Sequence, residues 1–230
     1  MRDTLATMAR SRAFVASLLL TACGDVQVAI DATPGGGASV DAAEETPDAG
    51  EPDAMTPDAA RPDAPPPDRI IFVTSLAFTG ALGGLAGADL RCQALAQQAG
   101  LAGIFMAWLS DTTGSPSTRM SQEGGPFRLT DGTAIAADWA DLIDGSHAAP
   151  IDRDELGEIS DGVFVCQGGE VWTNTTASAV TRAADDCSDW TATAGTSSAG
   201  NVGFADAKWT ESECGSITCR SALPLYCVQQ

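Results

Sequence analysis

Two acidic runs and one histidine carry the side chains best placed to do chemistry. In the stretch I-D-R-D-E-L-G-E, Asp152, Asp154 and Glu155 offer closely spaced hard oxygen ligands of the kind calcium takes. Asp185, Asp186 and Asp189, around Cys187, offer the same. Neither run has the D-x-D-x-D-G pattern of an EF-hand, and Arg153 interrupts the first. Solvated acidic loops are therefore the favoured reading of both, with calcium ligation the alternative, and no metal is assigned. His147, in G-S-H-A-A-P, is the only imidazole. A Ser–His–Asp arrangement needs it beside a positioned serine and a carboxylate; no G-x-S-x-G occurs, so a polar loop residue is expected. Paired carboxylates could serve glycoside hydrolysis, but nothing singles out two of the 31 acids. The chain is not expected to be an enzyme, and no cofactor is expected. A hydrolase or calcium-dependent enzyme on the same scaffold stands as the alternative.

The tryptophans are Trp108, Trp139, Trp172, Trp190 and Trp209. An exposed tryptophan can stack on a sugar, but these lie at strand or short-helix positions, where core packing is expected of most. Trp209, in A-K-W-T-E-S-E, lies in the least regular segment and is the candidate ligand-binding residue. Asn174-Thr175-Thr176 fits the glycosylation sequon and is given little weight.

The chain's own organisation constrains these residues. Residues 1–23 read as a targeting segment: Arg2, Arg10 and Arg12, then an apolar run from Ala13 to Leu20. That run is shorter than the roughly 20 residues a membrane helix needs. Leu20-Thr21-Ala22-Cys23 resembles the lipobox of bacterial lipoproteins, which implies lipidation of Cys23 after cleavage and a membrane anchor. Gly24 rather than aspartate after the cysteine favours the outer membrane, facing the periplasm or the surface. Residues 24–69 repeat Pro-Asp-Ala and lack large apolar side chains. Such a segment cannot offset the entropy of ordering, so a disordered linker is expected, reaching on the order of 140 Å when extended. The net charge of −19 argues against nucleic-acid or heparin-like partners, which need clustered Lys and Arg.

Residues 70–230 have the length of one domain with a sizeable core. Apart from Cys23 they hold all the cysteines: Cys92, Cys166, Cys187, Cys214, Cys219 and Cys227. An even count in an exported domain reads as three disulfides, for which sequence permits 15 connectivities. No C-x-x-C pair supports zinc. Within G-L-A-G-A-D-L-R-C-Q-A-L-A-Q-Q-A-G, positions Ala88, Cys92, Leu95, Ala96 and Ala99 form one apolar helical face. Asp89 falls in a candidate first turn, where its charge suits the helix dipole. Gly100 is the expected left-handed stop, with Leu101 packing back. Ile104–Ser110 reads as a strand, Asp131-Gly132 as a two-residue hairpin turn, and 138–145 as a short helix stopped by Gly145. Residues 163–166 and 171–175 read as strands, followed by short segments in W-T-A-T, K-W-T and L-P-L-Y-C-V-Q-Q, while 146–162 is polar and irregular. The expected class is α+β.

The ordered set Gly80, Gly84, Gly87-Ala88-Asp89, Cys92, then G-L-A-G (100–103), A-W-L-S (107–110), L-T-D-G-T-A-I-A-A-D-W-A-D-L-I-D-G-S (129–146), Val171-Trp172, C-x-x-W (Cys187, Trp190) and C-x₇-C (Cys219, Cys227) resembles endostatin. Endostatin is the C-terminal domain of collagens XV and XVIII, of C-type-lectin-like fold. The stretch is also similar to bacterial endostatin-like lipoprotein domains. The resemblance implies the pairs Cys92–Cys227 and Cys187–Cys219. Cys166 and Cys214 are absent from that pattern and are left to pair with each other. The histidines of endostatin's zinc site and most arginines of its heparin site have no counterpart here. The E-P-N or Q-P-D and W-N-D motifs of sugar-binding C-type lectins are missing too. The expected function is a membrane-anchored lipoprotein presenting a lectin-like module to a protein or glycan, met through loops within 111–126 and 176–216. A structural envelope protein without a discrete ligand is the other alternative.

Overall fold

The computed structural model describes residues 65–230. Cys23, its signal segment and nearly all of the acidic linker lie outside the described residues. The elements run β1 (Arg69–Val73), α1 (Gly84–Gln98), β2 (Phe105–Ala107), α2 (Pro116–Arg119), β3 (Phe127–Arg128), β4 (Ala134–Ala136), α3 (Trp139–Leu142), β5 (Glu170–Trp172), β6 (Thr196–Asn201), β7 (Ser216–Thr218) and β8 (Tyr226–Gln229). The fold is mixed α+β. One sheet has the order β2-β8-β1-β3-β4 and a second the order β5-β6-β7.

The chain's last strand pairs antiparallel with its first described one, with Ile71 opposite Val228 and Val73 opposite Tyr226. Both strands are covered on two faces, so their apolar residues run nearly unbroken. On one face Phe72 and Cys227 meet α1 through Leu85, Ala88, Cys92 and Ala96. On the other, Ile71, Val73, Tyr226 and Val228 pack with Trp108, Phe127, Trp139 and Trp209. Arg69, assigned by sequence to the linker, is a strand residue: its guanidinium lies over Phe127, 4.4 Å from the ring centre, and its Nε donates to the Gln229 carbonyl at 3.0 Å.

Helix α1 ends as its sequence requires. Gly100 has φ +75°, Leu101 N donates to the Ala96 carbonyl and Gly100 N to that of Gln97, a Schellman stop. Its start differs from expectation. The helix begins at Gly84, so Asp89 lies in the second turn and does another job. Strand β2 is a sheet edge, and its outward N–H groups at Phe105 and Ala107 are taken by Gln93 Oε1 and Asp89 Oδ1, both at 2.9 Å. Arg119 holds Asp89 at 2.6 Å. Side chains one helical turn apart thus stand in for a missing strand and close an edge that would otherwise invite pairing.

Three disulfides join Cys92 to Cys227, Cys166 to Cys214 and Cys187 to Cys219. The first links α1 to β8 across 135 residues, with both cysteines fully buried. The third lies against Gly80, where any side chain would overlap the Cys187 sulfur. Residues 163–166 are not a strand; Val163 alone bridges to Glu170. Of the short segments, W-T-A-T leads out of the turn at 187–190 and K-W-T lies mostly in a short 3₁₀ helix, Ala207–Trp209; the 129–133 reversal is a three-residue hairpin loop with Gly132 at φ +88°. Replacing Cys92 and Cys227 together by alanine is expected to lower the unfolding free energy by about 2–5 kcal/mol in non-reducing urea titrations. A loss under about 1 kcal/mol would contradict the closing role given to this bridge.

Candidate binding surface

Phe164 is 80% exposed, the most exposed of the large apolar side chains among the described residues. Leu156, Ile159 and Val165 are exposed with it, so half of the eight exposed large apolar side chains fall within ten residues of chain. These residues form the crest of the loop between α3 and β5, whose 146–162 stretch the sequence reading treated as polar and irregular and whose 163–166 stretch it treated as a strand.

The crest is fixed from below by two buried carboxylates. Glu170, at the start of β5, is fully buried. Its Oε2 accepts from Val165 N at 2.9 Å and Cys166 N at 3.3 Å, and its Oε1 from Gln167 N at 2.7 Å. A carboxylate taking three backbone donors is a strong local clamp. Asp154 plays the same part on the other arm, its Oδ1 accepting from Leu156 N and Glu158 N, each at 2.9 Å. The Cys166–Cys214 bridge ties the crest to the segment before β7. Where the arms approach, Gly162 lies against Gly169, and a Cβ on Gly162 would come 2.5 Å from the Gly169 Cα. Phe164 is thereby held outward over Gly168 instead of entering the core.

The acids of the 151–158 run are accounted for by this arrangement. Glu155 is buried and takes Ser75 N at 2.9 Å, with the Ser75 hydroxyl on its other oxygen. Arg153 bonds Asp131 at 2.8 Å and Asp152 at 3.0 Å. The run is not the solvated loop expected: Asp154 Oδ1 positions the crest backbone, Glu155 takes the Ser75 donors, and Asp152 pairs with Arg153. A cleft of about 180 Å³ lies beside the crest, lined by Ile159, Ser160, Asp161, Gly168 and Asn201 among others. Glu158 and Asp161 are exposed, so the crest has an acidic flank.

The other candidate residues fall elsewhere. Trp209 is fully buried and stacks with Trp108 at 4.8 Å, His147 at 4.7 Å and Tyr226 at 5.3 Å between ring centres. It cannot receive a ligand, and the assignment is corrected: the irregular backbone around it wraps a ring that is core. Asn174 is buried and its amide donates to the carbonyls of Ser110 and Ala183, which removes the sequon from reach. His147 Nε2 meets the Leu142 carbonyl at 3.0 Å, and no serine bonds the ring among the described residues. The 176–216 stretch is only partly loop, since β6 runs through it and is largely buried.

Asp186 and Asp189 flank an unusual turn. Cys187, Ser188, Asp189 and Trp190 have φ of +59°, +57°, +53° and +58°, a full left-handed turn. Asp186 Oδ1 accepts from Asp189 N at 2.8 Å, and the Trp190 carbonyl accepts from Leu82 N and Gly83 N at 2.8 and 3.0 Å. Burial pushes the Asp186 carboxyl above its ordinary range, and the nearby charges of Asp189 and Asp111 add to this. Donation from the Thr112 hydroxyl and N–H holds Asp189 below it. Asp185 is exposed and stands apart.

No protein-family model and no curated protein matches the chain.

The sequence signal for the crest was the apolar triplet Val163-Phe164-Val165 bracketed by Gly162 and Gly168-Gly169, beside a cysteine foreign to the endostatin pattern. Its run of strand-forming apolar residues made it read as a strand. His147 supplies a pH test of the aromatic cluster. Burial lowers its pKa, against the pull of the Leu142 carbonyl and of Asp144 and Asp141. It therefore stays neutral when folded but charges when unfolded. Its contribution is fully present above about pH 6.5 and is lost as pH falls through the folded pKa. The stability gap between the wild type and His147→Asn is expected to narrow from pH 7.5 to pH 5 in urea titrations. A gap that does not change with pH would contradict this packing.

Proposed function

We propose that the protein is an extracytoplasmic lipoprotein, anchored through Cys23 at the cell envelope, whose 70–230 domain is an endostatin-like, C-type-lectin-like binding module for a protein partner. The observation that carries this reading is the outward-held Phe164–Val165 crest. A soluble domain gains about 25 cal/mol for each Å² of apolar surface it buries, so a phenylalanine clamped in solvent forgoes stabilisation that contact with a partner would restore. Clamping lowers the ordering cost on binding, as a preorganised recognition loop should.

A protein partner fits better than a glycan. The crest offers aliphatic and aromatic surface with its backbone donors already spent on Glu170 and Asp154, leaving few groups to bond sugar hydroxyls. Its flank of Glu158 and Asp161 suits an apolar pocket with a basic rim. The long acidic linker would set the search radius of the module around its anchor. A benzophenone amino acid at position 164, in cells producing the full chain, is expected to give one discrete protein adduct on irradiation. The same group at exposed Ser121, on the 111–126 loop, is expected to give none. Excess wild-type protein should suppress the adduct and a Phe164→Asp/Val165→Asp variant should not. No adduct at 164, or equal labelling at both positions, would contradict the assignment and favour an envelope protein without a discrete ligand.

A further inference from the structure

We propose that the Cys166–Cys214 bridge is a thiol–disulfide exchange site: it takes electrons from an external dithiol and, once open, releases the Phe164–Val165 crest. The three bridges differ in accessibility. Cys92, Cys219 and Cys227 have no exposed surface and Cys187 is 1% exposed, so a reagent meets those sulfurs only when the core opens. Cys166 is exposed and Cys214 half-buried. Exchange requires a thiolate to reach the S–S bond, and exposed disulfides are the labile and regulatory ones.

The surroundings of this bridge also favour its reduced form. The two sulfurs and one carboxylate oxygen of Glu170 lie within 4.8 Å of one another, and Cys214 Sγ is 3.5 Å from Glu170 Oε1. A disulfide sulfur has no hydrogen to offer that oxygen, so lone pairs face lone pairs. A Cys214 thiol would donate to it. The S–H is a weak donor, but its acceptor is a buried carboxylate, which makes the bond charge-assisted. In the exchange, a thiolate of the dithiol attacks Cys166 Sγ and forms a mixed disulfide. The bond to Cys214 breaks, and its electron pair leaves on the Cys214 sulfur, which takes a proton from water and turns to Glu170. The dithiol's second sulfur, after giving its proton to water, attacks the first and expels Cys166, which is protonated in turn. Two electrons and two protons pass to the protein, and the dithiol ends as a disulfide. The bridge holds the residue beside Val165 to the segment before β7. With that tie gone, burial of Phe164, 80% exposed in the bridged form, is opposed less strongly.

That opening would silence a binding surface rests on the function proposed above; the exchange and the release do not. Full-length protein is treated with dithiothreitol under native conditions, alkylated at intervals and digested. Cys166 and Cys214 are expected to become alkylated at least tenfold faster than the other four bridged cysteines, and oxidised glutathione should restore their bridge. Hydrogen exchange of the 163–167 amides should quicken at least tenfold in the reduced protein, while β1 and β8 keep their protection. A Cys166→Ser/Cys214→Ser variant should show the fast crest exchange without dithiothreitol and no further change with it. Reduction of all three bridges together, or of Cys166–Cys214 last, would overturn the exchange site. Unchanged crest exchange after selective reduction of the wild type would overturn the release. If the crest loosens but position 164 gives no benzophenone adduct in the bridged protein, the binding reading fails and the switch stands. An adduct at 164 with no loosening on reduction sinks the switch alone.

Discussion

The buried bridge between Cys92 and Cys227 is the constraint on which the domain depends. It joins the inward face of α1 to β8, and β8 is the strand that zips against β1. Strands β1 and β8 of the larger sheet lie about 150 residues apart in sequence, and without that closure they must find each other with only packing to hold them. Both faces of the pair are core, so their separation would open both apolar clusters at once. The bridge also fixes α1 over the sheet, which lets Asp89 and Gln93 cap the β2 edge. Covalent closure, core and edge protection form one linked arrangement.

The second bridge of this kind supports a different burden. A left-handed turn of four non-glycine residues costs roughly 1–2 kcal/mol per residue. Around Cys187–Trp190 the opposing terms are visible. The Cys187–Cys219 disulfide holds one end. Trp190 is fully buried and donates its indole N–H to the Ser110 carbonyl at 2.8 Å. The turn's last carbonyl receives two N–H groups leading into α1. The strained turn thus locates the helix start. The remaining bridge, Cys166–Cys214, acts on an exposed loop rather than the core, and keeps an apolar crest where solvent would otherwise drive it inward.

Legibility in the sequence followed the range of the interaction. The body and stop of α1 were readable because apolar spacing and Gly100 are local signals, and the Asp131-Gly132 reversal was readable for the same reason. The cysteine pairs implied by the endostatin resemblance coincide with the bridges observed, and the remaining two cysteines pair as left over. Strand β1 went unread although R-I-I-F-V is uniformly apolar beyond its arginine, because it borders a polar linker. Strand β6, T-S-S-A-G-N, has almost no strand propensity; Gly200 is there because the backbone of Trp209 and Thr210 presses against it. That requirement comes from tertiary contact. Trp209 was misread because irregular backbone was equated with exposure. The crest was misread because Val163-Phe164-Val165 is a run of strand-forming apolar residues, while the buried carboxylate of Glu170 redirects the crest's N–H groups.

Proteolytic mapping of the unreduced protein tests the central claim most directly. Digestion with free thiols blocked is expected to release three cross-linked peptide pairs, joining residues 92 to 227, 166 to 214 and 187 to 219, with none of these six thiols alkylated. Recovery of Cys92 or Cys227 as an alkylated thiol, or joined to any other cysteine, would contradict the account.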